Sequence, residues 1–164
     1  MENLKIVLAD EADVDFLLDI YNDDFVNLVA LQGGESSILK NDIKNTLKIF
    51  KEKGDEIFII KQGEENVGMG MLYDIDYYNK NSRIGLALHK NYRDMGIGGK
   101  ALEMIYKHAA KEMNMIKVYG EVYEMNSRCK KMLDKCGFVC EGELKKHKKL
   151  KDTFINVSIY SKFL

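Results

Sequence analysis

The chain is 164 residues long, 46% hydrophobic and 31% charged, with a net charge of −1. That length reads as a single domain over 1–164 with a sizeable core; no apolar run is long enough to span a bilayer, and three cysteines without C-x-x-C spacing or paired histidines suggest neither a disulfide framework nor a metal site. The near-zero charge hides an asymmetry, because residues 1–80 carry 17 acids against 8 bases (−9) and residues 81–164 carry 9 acids against 17 bases (+8).

The opening "MENLKIVLADEAD" has neither a basic n-region nor an apolar h-region, so no secretion signal is expected and the expected setting is the cytoplasm. Within it "LKIVLA" (4–9) reads as a strand. Asp10 is placed to cap a helix through "EADVDFLLDIY", with Asp13 three residues on. "LQGGESS" (31–37) reads as a loop. "LKNDIKNTLKIFKEKG" (39–54) has helical period and stops at Gly54. "EIFIIK" (56–61) and "VGMGMLYDI" (67–75) flank the turn "QGEEN" as an antiparallel hairpin, and "RIGLALH" (83–89) is a fourth strand. A helix then runs to about Met113, with Ala101, Leu102, Ile105, Ala109 and Met113 on one face. "MIKVYGEVY" (115–123) is a fifth strand, and a short helix spans Asn126 to Cys136. "FVCEGEL" (138–144) and "FINVSIYSKF" (154–163) close the chain as a strand pair around "KKHKKLK" (145–151), read as a solvated hairpin turn, with binding of an anionic surface as the lesser alternative. Strands outnumber helices around a central strand–helix–strand unit, an order that fits an α+β domain with a mixed sheet.

The segment "YRDMGIGGKAL" (92–102) places three glycines at the start of a helix, although glycine weakens helices by about 1 kcal/mol each relative to alanine. A helix start leaves N–H groups unpartnered and carries partial positive charge. Glycines there bare those amides to an anion, which is the make-up of a phosphate cradle. The P-loop pattern fails, because Asp94 stands in place of its first glycine and Ala101 in place of its hydroxyl residue. The dinucleotide pattern G-x-G-x-x-A is met by Gly96, Gly98 and Ala101, with Glu121 near the end of the next strand. Its context fails: "HKNYRDM" separates strand from glycine, and too little chain follows for the remaining strand–helix units.

The third pattern, R-x-x-G-x-G, is met by Arg93, Gly96 and Gly98. This loop, "NSRCKKMLDKCGF" (126–138) and "GFVCEGELK" (137–145) with the ending "VSIYSKFL" together resemble the GNAT superfamily of N-acetyltransferases. They are similar in particular to its ribosomal-protein N-terminal and polyamine acetyltransferase branch. The resemblance implies a three-layer α+β fold: a mixed, mostly antiparallel sheet of about seven strands flanked by helices, with the parallel fourth and fifth strands splayed. It implies acetyl-CoA as cosubstrate and no metal. Its pyrophosphate would lie on the backbone of Asp94, Met95, Gly96, Ile97, Gly98 and Gly99, with charge from Arg93 and Lys100. Its pantetheine arm would run along Leu86, Ala87 and Leu88 like an added strand, touching Asn126. A backbone amide near Leu88 would polarise the thioester carbonyl.

The reaction is attack of a neutral amine on a thioester. An alkyl amine of pKa about 10.4 needs about 4.6 kcal/mol to deprotonate at pH 7, and an α-amine near 7.8 only about 1 kcal/mol. Glu121 is the first candidate base, against the alternative of an outward strand residue, and Glu141 the second. Leu133 occupies a position where many relatives carry a tyrosine that protonates the departing thiolate. Cys129 is one candidate replacement, although Cys129, Met132, Leu133 and Cys136 also form an ordinary helix-core stripe. Losing the acid costs roughly 2 kcal/mol, since a thiol near 8.5 lies close to neutrality. The acidic N-terminal half, with Asp23, Asp24 and Glu35 singled out, suits a cationic acceptor. The implied activity is acetylation of a small cationic amine or a peptide N-terminus, with no nucleic-acid or membrane partner, and exposed sheet edges allow a homodimer. A coenzyme A-binding module that has lost catalysis is the alternative of another class, and a dinucleotide-dependent enzyme is a more distant one.

Overall fold

The computed structural model describes residues 3–30 and 37–164. One seven-stranded sheet runs in the order β1-β2-β3-β4-β5-β7-β6. Its strands are β1 (Leu4–Leu8), β2 (Glu56–Gln62), β3 (Glu65–Asp76), β4 (Asn81–Leu88), β5 (Lys117–Tyr123), β6 (Val139–Leu150) and β7 (Thr153–Phe163). All neighbours are antiparallel except β4 and β5. This is the mixed sheet that the resemblance implies.

The helices are α1 (Val14–Tyr21), α2 (Asp24–Ala30), α3 (Lys40–Lys53), α4 (Ile97–Lys111) and α5 (Ser127–Lys135). Asp10 opens the first of them through a capping box over a short 3-10 turn, accepting from the N–H of Ala12 while Asp13 accepts from the N–H of Asp10. Gly54 closes α3 in the left-handed conformation, φ 77°. Two differences from the sequence reading stand out. A separate helix, α2, follows α1 after two residues, and "KKHKKLK" is mostly strand, because β6 continues to Leu150 and only residues 151–152 turn. The loop expected at 31–37 lies almost wholly outside the described residues.

Alternation along the strands sends side chains to two cores. Phe58, Leu72, Ile84, Val118 and Val122 meet Leu102, Ile105 and Ala109 of α4 and Leu133 of α5 on one face. Ile57, Ile59 and Met69 meet Val14, Leu17 and Ile20 of α1 and Ile43 of α3 on the other. The stripe expected on α4 is therefore its sheet-facing side, with Ala101, Ile105 and Ala109 fully buried.

Candidate active site

Strands β4 and β5 pair over three rungs only: Asn81 with Lys117, Ser82 with Val118 and Arg83 with Tyr119. Beyond Arg83, among the described residues, β4 pairs only with β3 and β5 only with β7. Gly120 sits at this vertex, where a Cβ would stand 3.0 Å from the carbonyl oxygen of Ile84. In an antiparallel ladder, backbone groups point alternately to the two neighbouring strands. The N–H of His89 donates to the carbonyl of Val67 on β3, so those of Leu88 and Leu86 turn toward the open side. The result is a cleft of about 640 Å³ lined by Leu86, Ala87 and Leu88, by the loop before α4, and by Asn126, Cys129 and Met132 on the α5 side.

The start of α4 forms the rim of this cleft. Gly96 is its N-cap at φ 74°, preceded by Asp94 at φ 65°, and among the described residues no side chain caps the first turn. The two glycines of the pattern serve different ends. Gly96 answers to its left-handed backbone. At Gly98 a Cβ would lie 2.9 Å from the Met132 sulfur and 3.5 Å from Leu86 Cδ2. Glycine there lets the helix start settle between β4 and α5. Gly99 packs likewise near Cys136. Met95 is exposed, and Ile97 is buried against Ile60, Val67 and Ala101.

The charges expected to supplement these amides are placed otherwise. Arg93 turns inward: its Nε donates to the carbonyl of Leu88 at 3.0 Å, its guanidinium meets Asp23 at 2.7 Å and lies over the Phe25 ring at 5.3 Å. It straps the loop to the end of β4 and to the start of α2 while still bordering the cleft. Lys100 stands beside Leu4, Gln62 and Ile97, on the β1–β2 side of α4 and outside the cleft. Cations from α5 also line the cleft: Lys131, Lys135 and Arg128, the last reaching across to Asp94 at 2.7 Å. All three arginines of the chain thus tie the cleft together, since Arg83 joins β4 to β5 by its pair with Glu121 at 2.6 Å. Their scarcity beside 22 lysines is the one sequence signal that could have found them.

Val118 and Val122 of β5 face α4, so Tyr119, Glu121 and Tyr123 face the side where α1 and α2 lie. Glu121 is only 19% exposed, held between Arg83 and Lys148, whose Nζ is 3.6 Å away. Arg83 in turn lies 3.6 Å from Asp74 and over the Tyr73 ring at 5.2 Å. Glu141 is not brought to this place. It is the extra residue of a β-bulge between Cys140 and Gly142, which turns it onto Lys117 at 2.6 Å and Ser161. Those two hydrogen bonds, Lys117 first, hold its carboxyl below the usual range. Lys117 belongs to the first paired rung, so Glu141 lies at the closed end of the splay.

Cys129 borders the cleft but packs into the α4–α5 core, where burial pushes its thiol up to about 11. A thiol raised in this way gives up its proton less readily than the departing thiol's own pKa of about 8.5 requires, so its placement does not favour the expected role as proton donor. Leu133 is buried in the same core. Asn126 caps α5, accepting from the N–H of Cys129 at 3.1 Å, while also bordering the cleft.

On the acceptor side, Asp23 accepts from the N–H of Val26 and pairs with Arg93. Partial burial pushes its carboxyl up, but the Arg93 hydrogen bond and charge and the backbone donors outweigh it, leaving the group below its ordinary value. Asp24 is exposed at the start of α2, and Glu35 lies outside the described residues. Asp19 is held by His89 at 3.1 Å. Among the described residues no group of histidine, cysteine and carboxylate side chains is gathered to hold a metal, and no helix is long and apolar enough to cross a membrane.

The splayed parallel pair and the glycine-opened helix start at its rim leave unpaired backbone donors along one continuous cleft. Residues 14–138 match the acetyltransferase (GNAT) family, and the chain belongs to that family. It therefore transfers an acetyl group from acetyl-CoA to an amine. The residues present fit that donor, because the uncapped α4 amides and the unpaired edge of β4 border one continuous cleft. The chain is similar to a prophage-derived N-acetyltransferase of Bacillus subtilis (strain 168), 27% identical over 148 residues, covering 88% of this chain and 81% of that one. It is also similar to the ribosomal-protein-serine acetyltransferase of Escherichia coli (strain K12), 25% identical over 109 residues, covering 66% of this chain and 61% of that protein. Its backbone matches the spermidine N-acetyltransferase from Vibrio cholerae, crystallised with CoA and spermine, at a TM-score of 0.91 and 14% identity, over 99% of this chain and 96% of the other.

Proposed function

We propose that the acceptor is the α-amino terminus of a polypeptide. The observation that carries this reading is that the two half-buried carboxylates of the acceptor side are already engaged. Glu121 is held by Arg83 and Lys148, and Asp23 by Arg93. To take up a proton directly, Glu121 would give up its pairing with a guanidinium at 2.6 Å. Such a site offers limited help with deprotonation. An α-amine asks for only about 1 kcal/mol at pH 7, against about 4.6 kcal/mol for an alkyl amine. The similarity to the ribosomal-protein-serine acetyltransferase supports the same choice.

Acetyl-CoA supplies the activated acetyl thioester. The amides from Gly96 to Gly99 receive its diphosphate at the positive end of α4. The open backbone edge at Leu86 and Leu88 takes the pantetheine arm in the manner of an added strand, with Asn126 beside it. The Leu88 N–H donates to the oxygen on which charge builds during attack. The next peptide unit, Leu88–His89, is fixed on both sides, its carbonyl accepting from Arg93 and its N–H donating to Val67, which steadies the end of β4 beside that donor. Glu121 orders a water that receives the amine proton. Leu133 offers no proton, so the thiolate leaves unassisted, at roughly 2 kcal/mol.

A second reading, a polyamine acceptor, rests on the likeness to a protein crystallised with spermine. Thiol release from acetyl-CoA, measured at pH 7 and pH 9 with N-terminal peptides, spermidine, free amino acids and aminoglycosides, separates the two. Peptides are expected to lead at pH 7, with polyamine turnover rising steeply by pH 9. Spermidine leading at pH 7 would overturn the reading, and donor binding without turnover on any acceptor would make the chain a coenzyme A-binding module.

A further inference from the structure

The β6–β7 hairpin does not continue straight past the sheet. Its register shifts between Leu144 and Lys148, where β6 carries extra residues against β7. Lys146 takes a left-handed φ of 50° there, and its N–H donates to Asn156 Oδ1 at 2.9 Å. The bend lays the outer arm beside the splayed end of β5. Leu150 packs on the buried cluster of Tyr123, Ile155 and Val157. The N–H of Glu124 donates to the carbonyl of Asn156 at 3.0 Å, and Lys148 reaches Glu121. The segment 145–151 is therefore fixed next to the acceptor-facing carboxylate.

That segment holds Lys145, Lys146, Lys148, Lys149 and Lys151. Lys145 pairs with Glu143 and Lys148 with Glu121. Lys146, Lys149 and Lys151 are exposed and form no ion pair among the described residues. Lysines on an edge strand commonly serve only to block pairing with other chains. Protection of that kind would spread along the strand, yet Val139–Leu144 carries none and all five cluster past the bend, where alternation turns Lys148 and Leu150 to the acceptor side and Lys149 to the opposite face. Across the opening Asp23 is held by Arg93 and Asp19 meets His89 at 3.1 Å. An approaching acceptor meets the arm's three unpaired lysines, with Asp24, Glu124 and Asp152 the exposed acids around them that form no ion pair among the described residues.

We propose that this lysine-rich arm docks an acidic stretch of the acceptor polypeptide that follows its reactive amino terminus. The proposal rests on the polypeptide reading above and adds the chemistry of the partner. Attraction of this kind acts over a screening length of about 8 Å at physiological salt, and so speeds encounter and sets partner choice. It also disfavours a polycationic acceptor.

The test uses the full chain and three peptides with the same first three residues, followed by six acidic, six neutral or six basic residues. The acidic peptide is expected to exceed the neutral one in kcat/KM by about tenfold at 50 mM salt, from several pairs each worth a few-fold, with most of the advantage gone at 300 mM. The combined Lys146→Glu, Lys149→Glu and Lys151→Glu variant should lose that advantage while keeping its melting temperature, its affinity for acetyl-CoA and its rate on the neutral peptide. Equal use of the three peptides, preference for the basic one, or an equal fall on all three in the variant would overturn the proposal. Binding of the acidic peptide with its amine already acetylated, read by fluorescence anisotropy, keeps the two readings apart. Binding that the variant loses, without turnover of the free peptide, supports the docking arm and removes the polypeptide activity. No binding, or tighter binding of a single-stranded oligonucleotide of equal charge, removes the docking arm.

Discussion

Replacing Arg93 by alanine distinguishes a residue that touches the donor's phosphates from one that holds the loop in place. The arginine is 17% exposed and its partner Asp23 15%. Removing it loses a charge-assisted hydrogen bond to the Leu88 carbonyl, worth about 1.5–3 kcal/mol. It also strands a mostly buried carboxylate. Breaking a fully buried pair costs about 3–5 kcal/mol; residual exposure and the remaining N–H donor of Val26 reduce that share. A total loss of about 3–5 kcal/mol is expected, which for a chain of this size lowers the melting temperature by roughly 6–20 °C. Acetyl-CoA affinity should fall as a consequence, because the loop before α4 is no longer anchored. Adding Asp23→Asn should recover part of the stability by removing the unpaired charge. Differential scanning fluorimetry and titration calorimetry read the two quantities on the same samples. An unchanged melting temperature with lost acetyl-CoA binding would refute the strap and return Arg93 to the diphosphate.

Three further outcomes are expected. Asp94 places a carboxylate beside the diphosphate cradle, so Asp94→Asn should tighten acetyl-CoA binding about threefold at low salt, whereas Arg128→Gln should weaken it; calorimetry that finds Asp94→Asn weaker would show that the Asp94–Arg128 pair shapes the site instead of competing with the donor. Glu121→Gln should lower the rate at neutral pH with partial recovery at alkaline pH, where the amine deprotonates unaided, and an unaltered pH–rate profile would remove Glu121 as the group that handles the proton. Because the folded chain holds Asp23 below its ordinary value of 3.8, its contribution is present above that pH and lost as the pH falls further; melting temperature and donor affinity should therefore decline together below about pH 4, and an Asp23→Asn protein declining just as steeply would locate the acid sensitivity elsewhere.

How legible the molecule was in its sequence depended on the range of the forces at each place. The capping box at Asp10, the glycine stop at residue 54 and the apolar stripe of α4 are local, and each can be read within a few residues. The lysine-rich part of β6 was read as a turn because an edge strand exposed on both sides shows no apolar alternation, and its lysines are poor strand formers. At the site, the glycines of the α4 rim were legible because their backbone demands are local. Their reasons were only partly so, since the bulk excluded at Gly98 belongs to Met132, far along the chain. The roles of Arg93 and Glu121 were not legible, because each is set by a partner distant in sequence: Asp23 for one, Arg83 and Lys148 for the other. A charged residue announces that it needs a partner, not which one it finds.

The most direct test of the account follows backbone amide resonances during titration with coenzyme A. Saturable shifts centred on Gly96, Ile97, Gly98 and Gly99, with smaller ones at Leu86 and Leu88, are the predicted pattern. Binding that leaves those amides unmoved and shifts another surface would contradict it.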